Sequence, residues 1–219
     1  MPASRRLAVA LWLAVLATPA AAADLSWAAM TGWQDGWAFR GGGTVSHLVK
    51  DLPLGLAFSA GLTFMDPGDP WKARRVFIND NTGGTPETSG YAWDLRADGV
   101  WFVHVPHLTE AGVFFGVRYN SFSGRFKFVG DNEDFTVMSD TWGIGGGFRG
   151  ALPVSPRWSL VFSAGVDWFP YIELYGHSRT FKSSGSNINV DTGYTYQDAA
   201  AAVNRWSLLP SILVGASWK

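Results

Sequence analysis

Apolar side chains alternate with small or polar ones along most of the chain. In residues 158–168, one parity carries Trp, Leu, Phe, Ala, Val and Trp, and the other carries Ser, Val, Ser, Gly and Asp. Residues 91–103 show the same period and place every charged side chain on one face. Because the side chains of a β-strand point alternately to its two sides, this period predicts strands rather than helices.

Eight segments follow this period, so the sequence predicts an all-β chain. The predicted strands are 25–33, 37–48, 54–64, 91–103, 111–122, 141–152, 158–168 and 205–218. Pro210 lies inside the last of them and predicts a bulge or a local break in pairing there, since proline cannot donate to a ladder.

The connections between the predicted strands alternate in length. Short, proline-containing turns lie at 49–53, 105–110 and 153–157. A small connection lies at 34–36. The remaining connections are long and polar, and they span residues 65–90, 123–140 and 175–204. An antiparallel chain of eight strands places both termini on the side of the short turns. Outer-membrane barrels show this arrangement, with short periplasmic turns and longer outer loops.

A soluble barrel with an apolar interior would also alternate, so the lipid-facing side has to be identified separately. The polar parity consists mostly of Gly, Ser, Thr and Ala, which is too poor in charge for a surface in water. All five lysines fall in turns, loops or the terminus. These observations favour a barrel whose apolar face contacts lipid and whose polar face lines the lumen.

Tryptophan supports the same orientation. Indole rings prefer the headgroup level of a membrane, so two interfacial girdles are expected of a membrane barrel. Ten tryptophans fall near predicted strand ends on the apolar parity: Trp27, Trp33, Trp37, Trp93, Trp101, Trp142, Trp158, Trp168, Trp206 and Trp218. The sequence therefore predicts a closed, antiparallel, up-and-down transmembrane β-barrel of eight strands.

The first residues have the pattern of a secretory signal peptide. Arg5 and Arg6 precede a ten-residue apolar stretch, and Ala21–Ala23 supply small residues for cleavage. We therefore expect residues 1–23 to be a signal peptide and residues 24–219 to form the barrel domain. The later chain contains no run of 18 apolar residues that would predict a transmembrane helix.

Composition excludes several function classes. The 219 residues have a formal net charge of -1, without the basic excess of a nucleic-acid-binding protein. The chain has no cysteine, which excludes disulfides, thiolate metal sites and a cysteine nucleophile. No pair of histidines has a convincing ligand spacing, so we expect neither a metal site nor a cofactor.

The architecture resembles the small eight-stranded outer-membrane β-barrels, namely the OmpA transmembrane type and its OmpX-like and opacity-protein-like relatives. The resemblance covers about residues 24–218 and includes a last strand, 206–218, that ends on Trp218. It implies a place in the outer membrane of a Gram-negative cell after signal-peptide cleavage. It also implies outer-membrane lipid and lipopolysaccharide as partners, with the barrel-assembly machinery as a partner during insertion.

The polar parity predicts charged side chains in the lumen. Four are basic and four are acidic, the latter lying inside or at the outer mouth: Arg40, Arg96, Arg118 and Arg149, with Asp94, Asp98, Asp167 and Glu173. An eight-stranded barrel is only wide enough for side chains to fill it, and sealed charges must be paired. This set predicts a salt-bridge plug. A narrow polar pathway for small solutes, given room by lumen glycines, is the alternative.

Candidates for catalysis are few. His177 and Ser178 lie in one long connection, and the acidic residues Asp131, Glu133 and Asp134 lie in the previous one. Neighbouring strand residues point in opposite directions, so His177 and Ser178 do not form a triad by themselves. Asp66 and Asp69 with the same three acidic residues could bind calcium between lipopolysaccharide phosphates, or form a solvated surface.

The loops carry the remaining candidates for recognition. Lys72, Arg74 and Arg75 beside Trp71 are placed to contact lipopolysaccharide phosphates. The aromatic residues Phe122, Phe126 and Phe128 suggest that predicted strands five and six project as a hairpin, where a partner could add a strand. We expect a non-enzymatic structural or surface-interaction protein that exposes loops to an unknown surface ligand. The alternatives are an enzyme acting on lipid A or peptides, and a narrow pore.

Overall fold

A computed structural model describes residues 24–48, 52–78, 83–131, 133–178, 186–188 and 194–219. The expected signal peptide, 1–23, lies outside the described residues. The barrel wall is built from eight strands: β1 (Asp24–Trp33), β2 (Trp37–Ser46), β3 (Leu54–Met65), β4 (Thr85–Phe102), β5 (Gly112–Val129), β6 (Asp134–Pro153), β7 (Trp158–Trp168) and β10 (Leu208–Trp218).

Each wall strand pairs antiparallel with the strand before it, except that β10 follows β7 in space. The sheet closes because β1 pairs with β10 from Trp27 opposite Trp218 to Trp33 opposite Ile212. The predicted closed, all-antiparallel barrel of eight strands is confirmed. Closure leaves no open strand edge in the wall. Every wall strand can therefore pair its backbone N–H and C=O groups with neighbouring strands, which lipid could not do.

The outer end of the barrel carries an extension that the predicted loops do not include. β4, β5 and β6 continue past the wall. The short strand β8 (Tyr175–Ser178) pairs with β6, and β9 (Ser186–Ile188) pairs with β8. The segments predicted as loops 65–90, 123–140 and 175–204 are therefore partly strands. The alternation simply continues through Phe122, Phe126 and Phe128, whose side chains are buried in the extension rather than against lipid.

Among the described residues, the extension has an unpaired edge on β4, besides the outer edge of the short strand β9. β3 ends where Met65 lies opposite Gly90, so residues 85–89 of β4 pair only with β5. This edge carries Pro86 and Glu87, and Glu87 lies 3.8 Å from Lys127 of β5. Proline and charged side chains on an edge strand discourage pairing with another chain.

Two short helices cover the inner side of this extension. In α1 (Pro70–Phe77), the Asp69 carboxylate accepts hydrogen bonds from the backbone N–H groups of Trp71 and Lys72. In α2 (Tyr196–Ala202), Thr195 and Asp198 form a capping box. Such caps satisfy the free donors at a helix start. Both helices bury apolar side chains against the strands: Ala73, Val76, Phe77, Ala199 and Ala202 meet Phe122, Phe126, Phe128, Phe135 and Val137.

Arg74 ties α1 to the β5–β6 hairpin. Its side chain is almost fully buried, and its Nη2 donates to Glu133 Oε1 at 2.9 Å and to Asp131 Oδ2 at 3.4 Å. The guanidinium carbon also lies 4.6 Å from the ring centre of Phe128. The expectation that Arg74 faces lipopolysaccharide together with Lys72 and Arg75 is therefore wrong, because the helix turns this side chain toward two carboxylates.

The outside of the wall is apolar and bounded by aromatic side chains. All ten tryptophans assigned to the girdles are exposed; nine stand on wall strands, and Trp206 lies two residues before β10. On the side of the short turns, Trp27 and Trp158 both lie opposite Trp218 on neighbouring strands, which places three indoles in one row. No helix in the described part of the chain is long and apolar enough to cross a membrane.

Pro210 does not interrupt β10. Pairing with β7 runs without a gap from Leu208 opposite Trp168 to Trp218 opposite Trp158, so the expected bulge or break is wrong. Pairing of β10 with β1 starts only at Ile212. Pro210 therefore stands beyond the end of β1, where no neighbour requires its missing N–H.

The Arg74 contacts predict a local effect of substitution. Arg74→Ala leaves Glu133 and Asp131 without their buried cation, and breaking a buried pair costs about 3–5 kcal/mol. We expect α1 to detach and become sensitive to protease while the barrel remains folded. Limited proteolysis measures the first effect, and the heat-modifiable electrophoretic mobility of the barrel measures the second. The exposed Arg75→Ala variant is the matched control. Equal proteolysis of both variants would contradict the assignment.

Candidate functional site

The lumen holds a layer of interlocked charges near its middle. Alternation on β2, β4, β5 and β7 turns Arg40, Asp94, Arg96, Asp98, Arg118 and Asp167 inward, and all six side chains are buried. Gln34, from the β1–β2 turn, is also buried among them. We call these seven residues the central network. Its three arginines and three aspartates balance in formal charge.

Asp167 is the centre of the network because it binds two arginines at once. Arg96 Nη2 donates to Asp167 Oδ2 at 2.6 Å, and Arg96 Nη1 lies 3.3 Å from Oδ1. Arg118 Nε donates to Asp167 Oδ1 at 2.7 Å. Arg96 and Arg118 lie directly opposite each other on β4 and β5, so the shared carboxylate offsets the repulsion between them.

The other two carboxylates extend the network toward neighbouring strands. Arg96 Nε donates to Asp94 Oδ1 at 2.6 Å, and Arg118 Nη1 donates to Asp98 Oδ1 at 2.6 Å. Arg40 Nη2 lies 3.5 Å from Asp94 Oδ1 and also donates to Gln34 Oε1. Charge-assisted bonds of this kind are short and strong, and they tie five strands or turns together.

Each carboxylate of the central network stands opposite a glycine on an adjacent strand. Asp94 is in register with Gly61, Asp98 with Gly116, and Asp167 with Gly145. A Cβ on Gly145 would overlap Asp167 Oδ1 and would lie 2.8 Å from Arg118 Nε. Gly61, Gly116 and Gly145 thus provide the space in which these three carboxylates lie.

A second charged layer lies nearer the short turns. Arg149 Nη1 donates to Thr44 Oγ1 at 2.6 Å, and Arg149 Nη2 lies 3.5 Å from Glu110 Oε2. Glu110 is buried and also meets Lys219 Nζ at 3.3 Å and the Ser26 hydroxyl at 3.3 Å. Arg149 is therefore inside the lumen, but it belongs to this lower layer rather than to the central network.

Arg205 closes the outer mouth from the segment between α2 and β10. Its buried side chain lies over the Phe122 ring at 4.8 Å, and its Nη2 donates to Asn120 Oδ1 at 2.6 Å. Burial lowers the pKa of Arg205 to about 10, and the charge of Asp35 opposes that shift. Burial likewise raises the pKa of Asp35, and the positive charge of Arg205 opposes that rise.

Comparison with solved structures identifies this architecture. A major outer membrane protein from Thermus thermophilus superposes with a TM-score of 0.73 and 26% identity, covering 90% of this chain and 98% of that protein. The chain is a small eight-stranded outer-membrane β-barrel. CarO of Acinetobacter baumannii, at 14% identity and a TM-score of 0.45, covers 88% of this chain and 96% of its own.

A third structure, Neisserial surface protein A, is 10% identical with a TM-score of 0.38, covering 89% of this barrel and 94% of its own chain. No protein-family model and no curated protein matches the barrel.

The described residues show the backbone of His177 and Ser178 and the side chains of the acidic catalytic candidates. The backbone of His177 lies opposite Thr136 and that of Ser178 opposite Phe135. The side chains of both fall outside the described part of the structure. Asp131 and Glu133 bind Arg74, and Asp134 Oδ1 accepts from Arg125 Nε at 2.9 Å. Within the described residues, no three His, Asp or Glu side chains cluster as metal ligands would.

Other acidic side chains of the barrel lie outside the central network. Glu173 is exposed beyond the end of β7. Asp140 accepts hydrogen bonds from the hydroxyls of Tyr119 and Tyr175, each at 2.9 Å. Burial, together with the bond to Asp140, raises the pKa of Tyr175 to about 12.

Sequence reasoning missed Gln34, Glu110 and Arg205. Gln34 and Glu110 lie in or beside predicted turns, where the two-residue period assigns no direction to a side chain. Arg205 fell at the start of a predicted strand, whereas β10 begins at Leu208. Its neighbours Asn204, Trp206 and Ser207 form no pattern that could have indicated it.

The glycine register predicts a cost for one added methyl group. We expect Gly145→Ala to displace Asp167 from Arg96 and Arg118, which lowers stability by about 3–5 kcal/mol, as for other broken buried pairs. Urea unfolding of the barrel in detergent measures this loss. Gly41→Ala is the control, because a Cβ there has no neighbour within 4 Å. Equal unfolding midpoints for the two variants would rule out the steric role.

Proposed function

We propose that this barrel is a non-conducting, non-enzymatic platform that holds its outer extension at the cell surface. The observation that carries the proposal is the burial of the central network. Each of its three carboxylates binds at least one guanidinium, and Arg118 is only 1% exposed. A solute crossing the lumen would have to separate these pairs, and an uncompensated buried charge is costly.

The platform role also rests on how the extension is held. β4, β5 and β6 run through both the wall and the extension as single strands of 18, 18 and 20 residues. The extension is therefore a continuation of the wall rather than a set of loops. Rigid elements of this kind present a surface in one defined orientation, which suits contact with a ligand or with the lipid headgroups.

Planar-bilayer recording tests whether the platform is closed. We expect the purified barrel to insert without discrete conductance steps, because the central network occupies the lumen. A conducting porin in the same bilayers is the positive control. Reproducible steps from the unmodified barrel would favour the small-solute pore and overturn the closed platform.

Lipopolysaccharide phosphate is the partner that we propose for the exposed side of α1. Lys72 has a side chain that is 63% exposed, Arg75 is exposed beside it, and Trp71 adds an indole at the same surface. A basic residue near an anionic membrane surface contributes about 1 kcal/mol. Two such residues together would strengthen binding by roughly thirtyfold.

Removing both charges tests this contact. The double variant Lys72→Ala/Arg75→Ala should bind lipopolysaccharide about thirtyfold more weakly in a detergent titration. The matched control is Arg125→Ala/Lys127→Ala, which removes the same charge from β5 instead of α1. Like Lys72, which lies 3.7 Å from Asp69, both control side chains lie beside a carboxylate. Equal weakening in both variants would indicate a general charge effect and contradict a contact at α1.

A further inference from the structure

A cavity of about 60 Å³ lies in the lumen between the two charged layers. The central network forms its outer side through Arg40, Arg96 and Asp98, and Arg149 borders it on the side of the short turns. A polar cavity needs about 10–15 Å³ for each water molecule, so this one has room for about four waters or for a small ion with part of its shell.

The charged wall of this cavity is mainly positive. Among the described residues, three arginines but one acidic residue, Asp98, border it. Asp94 and Asp167 bind Arg96, Asp94 also meets Arg40, and Glu110 meets Arg149, but none of these three carboxylates lines the cavity. Asp98 is itself bound to Arg118 at 2.6 Å. In a low-dielectric surrounding, this asymmetry favours an anion over a cation.

The wall also offers hydrogen-bond donors. Arg40 is 6% exposed, and its buried Nε has no hydrogen-bond partner among the described residues. The Thr44 hydroxyl oxygen accepts from Arg149, which leaves the hydroxyl proton available to another acceptor. Ser59 and Ser163 add two further hydroxyl groups to the lining. A buried donor without an acceptor is costly, so a bound acceptor here would be stabilising.

The rest of the lining is apolar and limits the kind of anion. Met30, Val100, Phe114 and Val161 border the same space. A multivalent oxyanion would have to give up a tightly held hydration shell beside these apolar side chains. A halide ion has a lower free-energy cost of dehydration. The volume also excludes a carboxylate ligand as large as gluconate.

We propose that this cavity binds one small monovalent anion of the halide type, held by Arg40 and by the hydroxyls of Thr44, Ser59 and Ser163. The site reaches beyond the proposed platform function and does not depend on it, since the anion can bind whether or not the lumen conducts. The bound ion adds a negative charge between the two charged layers and so links them.

Bromide diffraction and unfolding measurements test the site. Crystals of the barrel grown in sodium bromide should show an anomalous peak in the cavity, within hydrogen-bond distance of Arg40. In detergent, bromide should raise the urea midpoint with a saturable dependence, whereas sodium gluconate at equal ionic strength should not. A flat bromide response, or an equal response to gluconate, would overturn the proposal.

Variants locate the effect in the cavity. Ser59→Ala removes one hydroxyl without touching the central network, and we expect it to weaken bromide binding about tenfold, the factor for one hydrogen bond of about 1.4 kcal/mol. Arg40→Lys keeps the positive charge but removes the Nε–H donor, and it should also weaken bromide binding. Thr63→Ala, a buried lumen position that does not line the cavity, is the matched control. Unchanged binding in Ser59→Ala, or equal weakening in Thr63→Ala, would overturn the assignment.

Discussion

Asp167 shares its carboxylate between Arg96 and Arg118, two cations that stand face to face on adjacent strands. Without that shared anion, the wall would place like charges opposite each other in a space with little water. The rest of the lumen follows from this constraint: Asp94 and Asp98 balance the remaining charge, and glycines on the facing strands make room for carboxylates. The interior of this barrel is thus organised by charge neutralisation, while its exterior is organised by the lipid.

Much of the wall could be predicted from the sequence, because lipid imposes a strict two-residue period. The predicted bounds of β7 match the structure to the residue. The two-residue alternation could not show where the wall ends and the extension begins. Phe122, Phe126 and Phe128 alternate in the same way whether they face lipid or helices, so the strands are longer than predicted.

The site was less predictable than the wall, because its contacts join residues far apart in the chain. Alternation assigns a face but not a height, so it could not place Arg149 in a separate layer with Glu110. Arg205 enters the lumen from a connecting segment, where no period applies. Nor could composition show that Asp167 would stand opposite Gly145, since that match depends on the register of two strands.

The free edge at residues 85–89 has a consequence for association between copies. An exposed backbone edge is a template on which a second chain can add its own strand. Pro86 removes a donor from that edge, and Glu87 adds a charge that a second copy would also bring. These two residues therefore discourage residues 85–89 of one copy from pairing with those of another.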